Sequence, residues 1–305
     1  MSRCAHSQAR WESDIAFLNG LLHISSVMIR VRLFCIVLAC GMFLSLAGSG
    51  SGPAKVVIAQ ISDTHLGERH SPHAAETLRE AVKMINALHP DAVIVSGDIG
   101  ESFARRQRAK TILKALTAPV YFVPGNHDFA DTNGLALYRR QFGPDYYRFR
   151  VKNVEVLALD SQLLGNYSQF EAKSPPPLAP GLAEESERML NWMAQQPPPG
   201  RGDVIIAVQH IPLYRDKGFP DAKPYWVVNP PYAQREADLL RRLGVKHLLA
   251  GHWHTGRVFS ENGITIHVAP ASSWLPFGGQ LGFAIHTITA NGDVHTQFVP
   301  LSALN

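Results

Sequence analysis

The amino-acid sequence predicts an α/β layered fold with buried, largely parallel strands, and three observations support this prediction. Short apolar segments alternate with segments of helical period in the order β-α-β-α-β between residues 56 and 123. The strand segments are apolar at consecutive positions, which is typical of strands covered on both faces. The chain has 305 residues, of which 46% are hydrophobic, so it can bury a large core.

The predicted elements of the first half follow this alternation. Apolar side chains at helical spacing indicate a first helix at residues 73–88. Two β-prone segments joined by Lys152-Asn153 predict a hairpin. The other predictions are strands at 56–61, 92–95, 119–123, 146–151 and 154–159, and helices at 101–116 and 132–142.

The second half begins with a Pro-rich stretch over residues 165–200, and an aromatic-bearing loop follows at residues 217–231. The first is interpreted as a surface excursion rather than a domain boundary, and we expect both to determine specificity for a substrate. The predicted elements are helices at 182–195 and 233–243 and strands at 204–208, 247–250, 258–260, 264–268, 283–289 and 294–298. The last four strands are expected to be antiparallel.

Residues 1–52 are predicted to be a leader with a signal peptide, and residues 53–305 a single domain. Basic residues follow Met28, the hypothesised start of translation, and precede an apolar core at 33–47. Cleavage is expected near residues 47–50, so we predict an exported protein, periplasmic or secreted. The core is shorter than the ~20 residues of a membrane span, which makes an uncleaved membrane anchor the less favoured alternative.

Net charge and cysteine count exclude several kinds of binding site. The formal net charge is +4, and outside the leader 25 basic residues face 23 acidic ones. This balance is too mild to predict binding of nucleic acid or of an anionic membrane. All three cysteines lie in the leader, so the domain has no disulfides and no thiolate metal ligands. No feature of the sequence indicates an oligomeric state.

Polar side chains that can bind metal follow five of the predicted strands. They are Asp63 and His65, then Asp98, then Asn126 with His127 and Asp128, then His210, and finally His252 with His254. Ligands bind at the carboxyl ends of strands in open α/β sheets, so we expect these side chains to converge. One such motif alone is compatible with a polar turn, whereas five in succession are hard to obtain by chance. Carboxylate, amide and imidazole donors without sulfur suit Mn, Fe, Zn or Co.

The succession Asp-x-His, Gly-Asp, Gly-Asn-His-Asp, a single His and Gly-His-x-His resembles the calcineurin-like metallophosphoesterase superfamily. Gln-His-Ile-Pro at residues 209–212 is similar to its bacterial cyclic-nucleotide phosphodiesterase-like branch. The resemblance implies a four-layer α-β-β-α sandwich with two mixed sheets, the last strands in the second sheet, and a two-metal site at the sheet edges. It implies Asp63, His65, Asp98 and His254 as ligands of one ion, and Asp98, Asn126, His210 and His252 as ligands of the other.

The resemblance predicts a metal-dependent hydrolase of small phosphate esters. Two divalent ions roughly 3.5–4 Å apart would share a hydroxide for in-line attack at phosphorus. One carboxylate must bridge them, and Asp98 is the candidate because it stands alone at its strand end. His127 follows Asn126 directly and is expected to act as general acid, with Asp128 bonded to its ring to keep it protonated. The alternative for His127 is a purely structural role beside the ligands.

One departure from the family pattern and two alternatives accompany this prediction. Purple acid phosphatases have a Tyr at the position of Glu101, so an iron–tyrosinate centre is not expected here. A cyclic-nucleotide or nucleotide phosphodiesterase is an alternative activity, and a non-catalytic, metal-stabilised binding protein is an alternative of another class. The remaining histidines are interpreted as surface or strand positions without a ligand role, namely His70, His73, His89, His247, His267, His286 and His295.

Overall fold

The structure, a computed structural model, describes residues 55–302. The predicted leader and signal peptide therefore lie outside the described residues. The strands are β1 (Val56–Ile61), β2 (Ala92–Ser96), β3 (Val120–Val123), β4 (Tyr147–Val151), β5 (Val154–Ala158), β6 (Val204–Val208), β7 (His247–Ala250), β8 (Arg257–Glu261), β9 (Ile264–Val268), β10 (Gly282–Ile288) and β11 (Val294–Pro300). The helices are α1 (Ala74–Leu88), α2 (Phe103–Leu113), α3 (Thr132–Phe142), α4 (Leu182–Gln195) and α5 (Tyr232–Arg242).

The strands form two mixed sheets, which confirms the predicted fold class. The first sheet has the order β11-β10-β1-β2-β3 and the second the order β4-β5-β6-β7-β9-β8. β1, β2 and β3 run parallel, as do β5, β6, β7 and β9. The antiparallel strands flank these parallel cores. The carboxyl ends of the parallel strands in each sheet therefore lie at one edge, where a ligand site can form.

The last four strands differ from the prediction in two ways. They were expected to be antiparallel and to belong to the second sheet, but β10 and β11 complete the first sheet beside β1. β9 also pairs in parallel with β7. After β7 the chain first forms β8 at the edge of the sheet and then turns back, so that β9 lies between β7 and β8. Apolar periodicity alone cannot distinguish these pairings, since it identifies a strand without identifying its neighbour.

The buried strands have apolar side chains on both faces. Ile58 and Ile94 of the first sheet pack against residues of the second sheet such as Val156 and Ile206. The intervening residues, such as Val95, pack in the larger cluster that includes the helices. Strands covered on both faces account for the consecutive apolar residues that the sequence shows. Within residues 55–302, no helix is both long enough and apolar enough to cross a bilayer.

Two histidines interpreted as unpartnered strand positions are instead buried and hydrogen-bonded between the sheets. His267 and His286 both bond to Thr296 Oγ1, at 2.7 and 2.8 Å. His286 Nε2 also bonds to Gln60 Oε1 at 2.8 Å, and His267 Nε2 lies 3.0 Å from His247 Nδ1. Sequence reasoning missed this cluster because its members come from five different strands.

This histidine cluster should make the fold less stable in acid. Burial lowers the pKa of His267 to about 3, with a smaller contribution from His247, and burial lowers the pKa of His286 as well. Both histidines are therefore neutral in the folded chain, whereas in the unfolded chain they take up protons near pH 6.5. Each histidine then removes up to about 1.4 kcal/mol of stability per pH unit as the pH falls below 6.5.

Urea unfolding of the chelated protein between pH 7.5 and 4.5 measures this effect. We expect His267→Gln to flatten the pH dependence of the free energy of unfolding between pH 6.5 and 4.5. His295→Gln, on the exposed face of β11, is the matched control and should leave the slope unchanged. Equal slopes for the wild type and His267→Gln would contradict this account.

Candidate metal centre

The five predicted motifs converge at one edge of the fold. They follow β1, β2 and β3 of the first sheet and β6 and β7 of the second. Two hydrogen bonds join the sheets here: Gln60 Nε2 donates to the carbonyl oxygen of Ala250, and His210 Nδ1 bonds to that of Ser96 at 2.7 Å. The separate strand ends therefore form one site.

The backbone at this edge is strained. Among the described residues, eight non-glycine residues have positive φ, and five of them are predicted metal ligands: Asp63, His65, Asp98, His252 and His254. Left-handed backbone conformations are unfavourable for such residues and persist only where the surrounding structure enforces them. Gly125 allows the close approach, because a Cβ there would lie 2.2 Å from Asp98 Oδ1.

Four predicted ligands form the first group. Asp63, His65, Asp98 and His254 each offer one atom, and these atoms lie within 4.8 Å of one another. His254 Nε2 lies 3.1 Å from Asp63 Oδ1, and His65 Nε2 lies 3.5 Å from Asp98 Oδ2. All four side chains are buried. A set of two carboxylates and two imidazoles in this arrangement can enclose one divalent cation.

Asp98 also belongs to a second group, with His210 and His252. His210 Nε2 lies 3.1 Å from Asp98 Oδ2. Tyr225 links Asn126 to this group: the Asn126 amide donates from Nδ2 to the Tyr225 hydroxyl at 3.0 Å, and the Tyr225 carbonyl bonds to His252 Nε2. The bond from the amide leaves Asn126 Oδ1 as the free acceptor. Asp98 is thus the carboxylate common to both groups.

Hydrogen bonds fix which ring nitrogen of each histidine points into the site. One nitrogen of each ring bonds to an oxygen outside the cluster: His65 Nδ1 to Glu101, His210 Nδ1 to Ser96 O, His252 Nε2 to Tyr225 O and His254 Nδ1 to Trp274 O. The bonded nitrogen carries the proton, so the other nitrogen presents its lone pair. Metal-binding histidines are usually oriented in this way.

Several buried oxygen and nitrogen atoms of the site have no hydrogen-bond donor, and a bound cation would interact favourably with all of them. Asp63 Oδ1 and Asn126 Oδ1 are buried, and neither accepts a hydrogen bond. His65 Nε2 and His254 Nε2 lie 3.2 Å apart, and both present lone pairs if their other nitrogens are protonated. Buried polar atoms without partners are costly, and lone pairs at this distance repel each other. The donor set therefore fits divalent metal ions.

The carboxylates of the site are ionised and stabilise positive charge on neighbouring histidines. Burial raises the pKa of Asp98, but His210 and His127 outweigh it and hold that pKa well below its usual value. Burial lowers the pKa of His210, yet Asp98 and Asp63 raise it to about 9. Without a metal ion, the carboxylates thus attract a proton to His210. A cation bound here would compete with that proton, so metal affinity should fall as the pH falls.

Glu101 is the residue that sequence reasoning missed. Its two oxygens accept hydrogen bonds from His65 Nδ1 and His127 Nδ1, each at 2.9 Å. Ser102 caps α2, so the helix begins two residues later than predicted and Glu101 stays in the loop that faces the site. A carboxylate three residues after Asp98, at the same strand end, was the signal that could have identified it.

The predicted bond between Asp128 and the His127 ring is absent. The carboxylate of Asp128 instead accepts the backbone N–H groups of Gly125 and Ile99, at 2.9 and 3.0 Å, and so shapes the loop. Glu101 takes the predicted role beside the ring. Burial lowers the pKa of His127, but Asp98 and Glu101 outweigh it and raise the pKa to about 10.

A cavity of about 430 Å³ opens above the two groups. Asp98, His127, His252 and His254 line its inner end. Its walls are Phe170, Tyr225, Trp226, Trp274, Pro276 and Phe277. The first three lie in the two excursions expected to determine specificity, whereas the last three lie in a loop after β9 that the sequence did not indicate.

Comparison with protein families gives a match over most of the described chain. The family described as calcineurin-like phosphoesterase matches residues 56–256. The serine/threonine-protein phosphatase CPPED1 of Danio rerio is 27% identical over 257 residues, which cover 77% of this chain and 78% of that protein. A protein of Rhodococcus erythropolis named "Probable cyclic nucleotide phosphodiesterase" is 29% identical over 256 residues, covering 75% and 76% of the two chains.

Solved structures show the same fold. A dimetal phosphatase from Danio rerio superposes with a TM-score of 0.56 at 18% identity, covering 82% of this chain and all of that one. A purple acid phosphatase from yellow lupin gives 0.52 at 12% identity, with 82% of this chain and 54% of that chain covered. At these identities the likeness establishes the four-layer fold alone.

Proposed function

The chain belongs to the calcineurin-like phosphoesterase family and is a metallophosphoesterase, and we propose that it hydrolyses small phosphate esters with two divalent ions at this sheet edge. One observation carries the proposal: two groups of buried ligand atoms share Asp98, and two buried oxygens at the same strand ends, Asp63 Oδ1 and Asn126 Oδ1, have no hydrogen-bond partner. Asp63, His65, Asp98 and His254 would hold one ion, and Asp98, Asn126, His210 and His252 the other. When bound, such ions activate water and neutralise the oxygens of the phosphoryl group.

The surrounding residues position the ligands and exclude water. The backbone N–H of His127 donates to Asp98 Oδ1 at 2.9 Å, which leaves Oδ2 directed at the histidines. The carbonyl of Tyr225 holds the His252 ring. Burial of both groups behind the aromatic walls lowers the local dielectric, which strengthens every charge interaction with a phosphate ester.

We propose that His127 donates the proton to the leaving oxygen. It lines the cavity beside Asp98, and Glu101 accepts from its Nδ1. The Glu101 carboxylate keeps the imidazolium charged and fixes its plane, so that Nε2 carries the transferable proton. Asp128 supports this arrangement indirectly, through the backbone of its own loop.

Removal and restoration of metal test the proposed activity. We expect chelation to abolish hydrolysis of p-nitrophenyl phosphate and bis(p-nitrophenyl) phosphate, and added Mn²⁺ to restore at least one of the two. Comparison of the two rates also decides between a monoesterase and the alternative, a cyclic-nucleotide or nucleotide phosphodiesterase, which the Rhodococcus relative supports. Absence of metal-dependent turnover of both substrates and of a nucleotide panel would contradict the proposal.

Glu101→Gln should separate positioning from catalysis. The amide keeps the size of the side chain but weakens its bonds to His65 and His127 and removes the charge. We expect roughly a 10- to 100-fold loss of metal affinity or turnover, the usual cost of changing a partner of a metal-binding histidine. Titration of the chelated variant with Mn²⁺ measures the affinity separately. Glu68→Gln, in the same region but bonded to His70 outside the cluster, is the control and should behave as wild type.

We also propose export through the leader, on the basis of the basic residues, the apolar core at 33–47 and the small residues after it. Sequencing the amino terminus of the exported protein tests this. A mature chain that begins just after a cleavage near residues 47–50 is expected, and one beginning before Leu33 would contradict it.

A further inference from the structure

The walls of the cavity above the metal centre are aromatic and carry no positive charge. Among the described residues that line it there is no lysine and no arginine. Lys223 lies over the Phe170 ring at 4.0 Å, but its charge pairs with Glu171 and Asp221. Beyond the metal centre, the cavity therefore offers ring faces and no partner for a second anionic group.

The aromatic wall is held rigidly against the metal centre. Tyr225 accepts a hydrogen bond from Asn126 and, through its carbonyl, one from His252. Trp253 Nε1 donates to the carbonyl of Trp226 at 2.7 Å. Three bonds thus fix the Pro224–Trp226 turn to the loops that carry the predicted ligands. Because these side chains are already fixed, they lose little conformational entropy when a ligand packs on them, and less of the binding free energy is offset.

Two large apolar rings at the mouth of the cavity are exposed. Phe170 is 40% and Phe277 is 44% exposed, and both lie on this cavity. Phe170 meets Tyr225 and Trp226 edge to face at 5.1 and 5.6 Å, and Phe277 lies 5.2 Å from the Trp226 ring. On the other side, Trp274 lies edge-on to the His254 ring at 5.1 Å. Exposed rings grouped around a cavity usually mark a site where an apolar ligand packs.

We infer that the enzyme selects phosphate esters carrying one flat, uncharged ring, such as a nucleobase or an aryl group, and that it discriminates against esters with further charged groups. The inference rests on the proposed function and names its substrate class. The phosphoryl group would sit at the metal centre and the ring between the Trp274 and Trp226 sides of the cavity. A volume of about 430 Å³ is in the range of sites for small molecules. A phosphorylated protein segment with charged flanking residues would leave those charges unpaired against the aromatic wall.

Matched substrates isolate the contribution of the ring. Adenosine 5′-monophosphate and ribose 5-phosphate release the same primary oxygen and differ in the base. The methyl esters of these two compounds at phosphorus form the corresponding diester pair, and they too differ only in the base. Stacking of one ring on aromatic side chains supports about a 10- to 100-fold preference. In whichever pair the Mn²⁺-loaded enzyme hydrolyses, we expect kcat/KM to be about 10- to 100-fold higher for the compound that carries the base.

Variants assign the preference to this cavity. The double variant Phe170→Ala/Phe277→Ala removes two exposed rings, so it should fold, and it should reduce the ratio of kcat/KM between the two members of a pair toward 1. Phe103→Ala removes a similarly exposed ring on α2 and should leave the ratio unchanged. Wild-type ratios near 1 would overturn the inference, as would ratios that the double variant leaves intact.

A binding measurement distinguishes failure of this inference from failure of the proposed function. Calorimetric titration of Mn²⁺-loaded His127→Ala protein with the two monoesters should show at least tenfold tighter binding of adenosine 5′-monophosphate. Such binding without turnover of any substrate by the wild type would contradict the proposed hydrolysis and support the ring preference. Turnover with equal affinities and equal rates for the two monoesters would support the proposed hydrolysis and contradict the ring preference.

Discussion

Replacement of Asp98 by Asn is expected to lower kcat/KM by roughly 10²–10³-fold or more, the range seen when one electrostatic stabiliser is removed from an active site. Asp98 is the carboxylate shared by both donor groups, with Oδ2 at 3.1 Å from His210 Nε2 and 3.5 Å from His65 Nε2. An amide removes the negative charge that balances two cations. It also replaces one oxygen by a donor that cannot bind metal. The variant should therefore retain less than the full metal content.

The Asp98→Asn experiment needs a measurement of folding, because the side chain is buried. Its Oδ1 accepts the N–H of His127, and an amide oxygen can accept the same bond. Circular dichroism should therefore show a folded variant. Asp131→Asn is the matched control, since Asp131 caps α3 at the surface and Asn caps a helix equally well. An Asp98→Asn enzyme with wild-type metal content and turnover would refute the shared-carboxylate assignment.

His127→Ala is expected to have the second-largest effect, and its size should depend on the substrate. A positioned general acid contributes about 10²–10⁴-fold when the leaving oxygen needs a proton. The loss should therefore be large for an alkyl ester such as ribose 5-phosphate. It should be much smaller for p-nitrophenyl phosphate, whose leaving group departs readily as an anion. Comparison of kcat for the two substrates in wild type and variant measures this dependence.

Metal content is the control for the His127 experiment. The His127 ring bonds to Glu101 and belongs to neither of the donor groups that share Asp98, so the variant should retain its metal. Equal losses for both substrates together with reduced metal content would favour the structural alternative for His127. The Glu101→Gln variant should reproduce part of the same substrate dependence, because Glu101 acts through the same ring.

The convergence of side chains at the strand ends was predicted better than the pairing of the strands. A buried strand that ends in polar residues is visible locally, and five such ends identified side chains, from Asp63 to His254, that the structure brings together. Strand neighbours depend on tertiary pairing, so β9 and β10 were assigned wrongly. Glu101 was missed because its partners, His65 and His127, lie 36 and 26 residues away in the chain.

Local rules also misplaced Asp128. A carboxylate next to a histidine suggests a direct bond between them, but the Asp128 oxygens instead accept the backbone N–H groups of Gly125 and Ile99. Buried backbone donors must be satisfied, and a tight loop offers few other acceptors. The aromatic loop after β9 was missed for a related reason: Trp274 and Phe277 have no periodicity that marks them as cavity walls.

The most direct test of the central claim is anomalous diffraction from crystals of chelated protein reloaded with Mn²⁺. We expect two peaks roughly 3.5–4 Å apart with Asp98 between them. Asp63, His65 and His254 should surround one peak, and Asn126, His210 and His252 the other. A single peak, or peaks away from Asp98, would contradict the account.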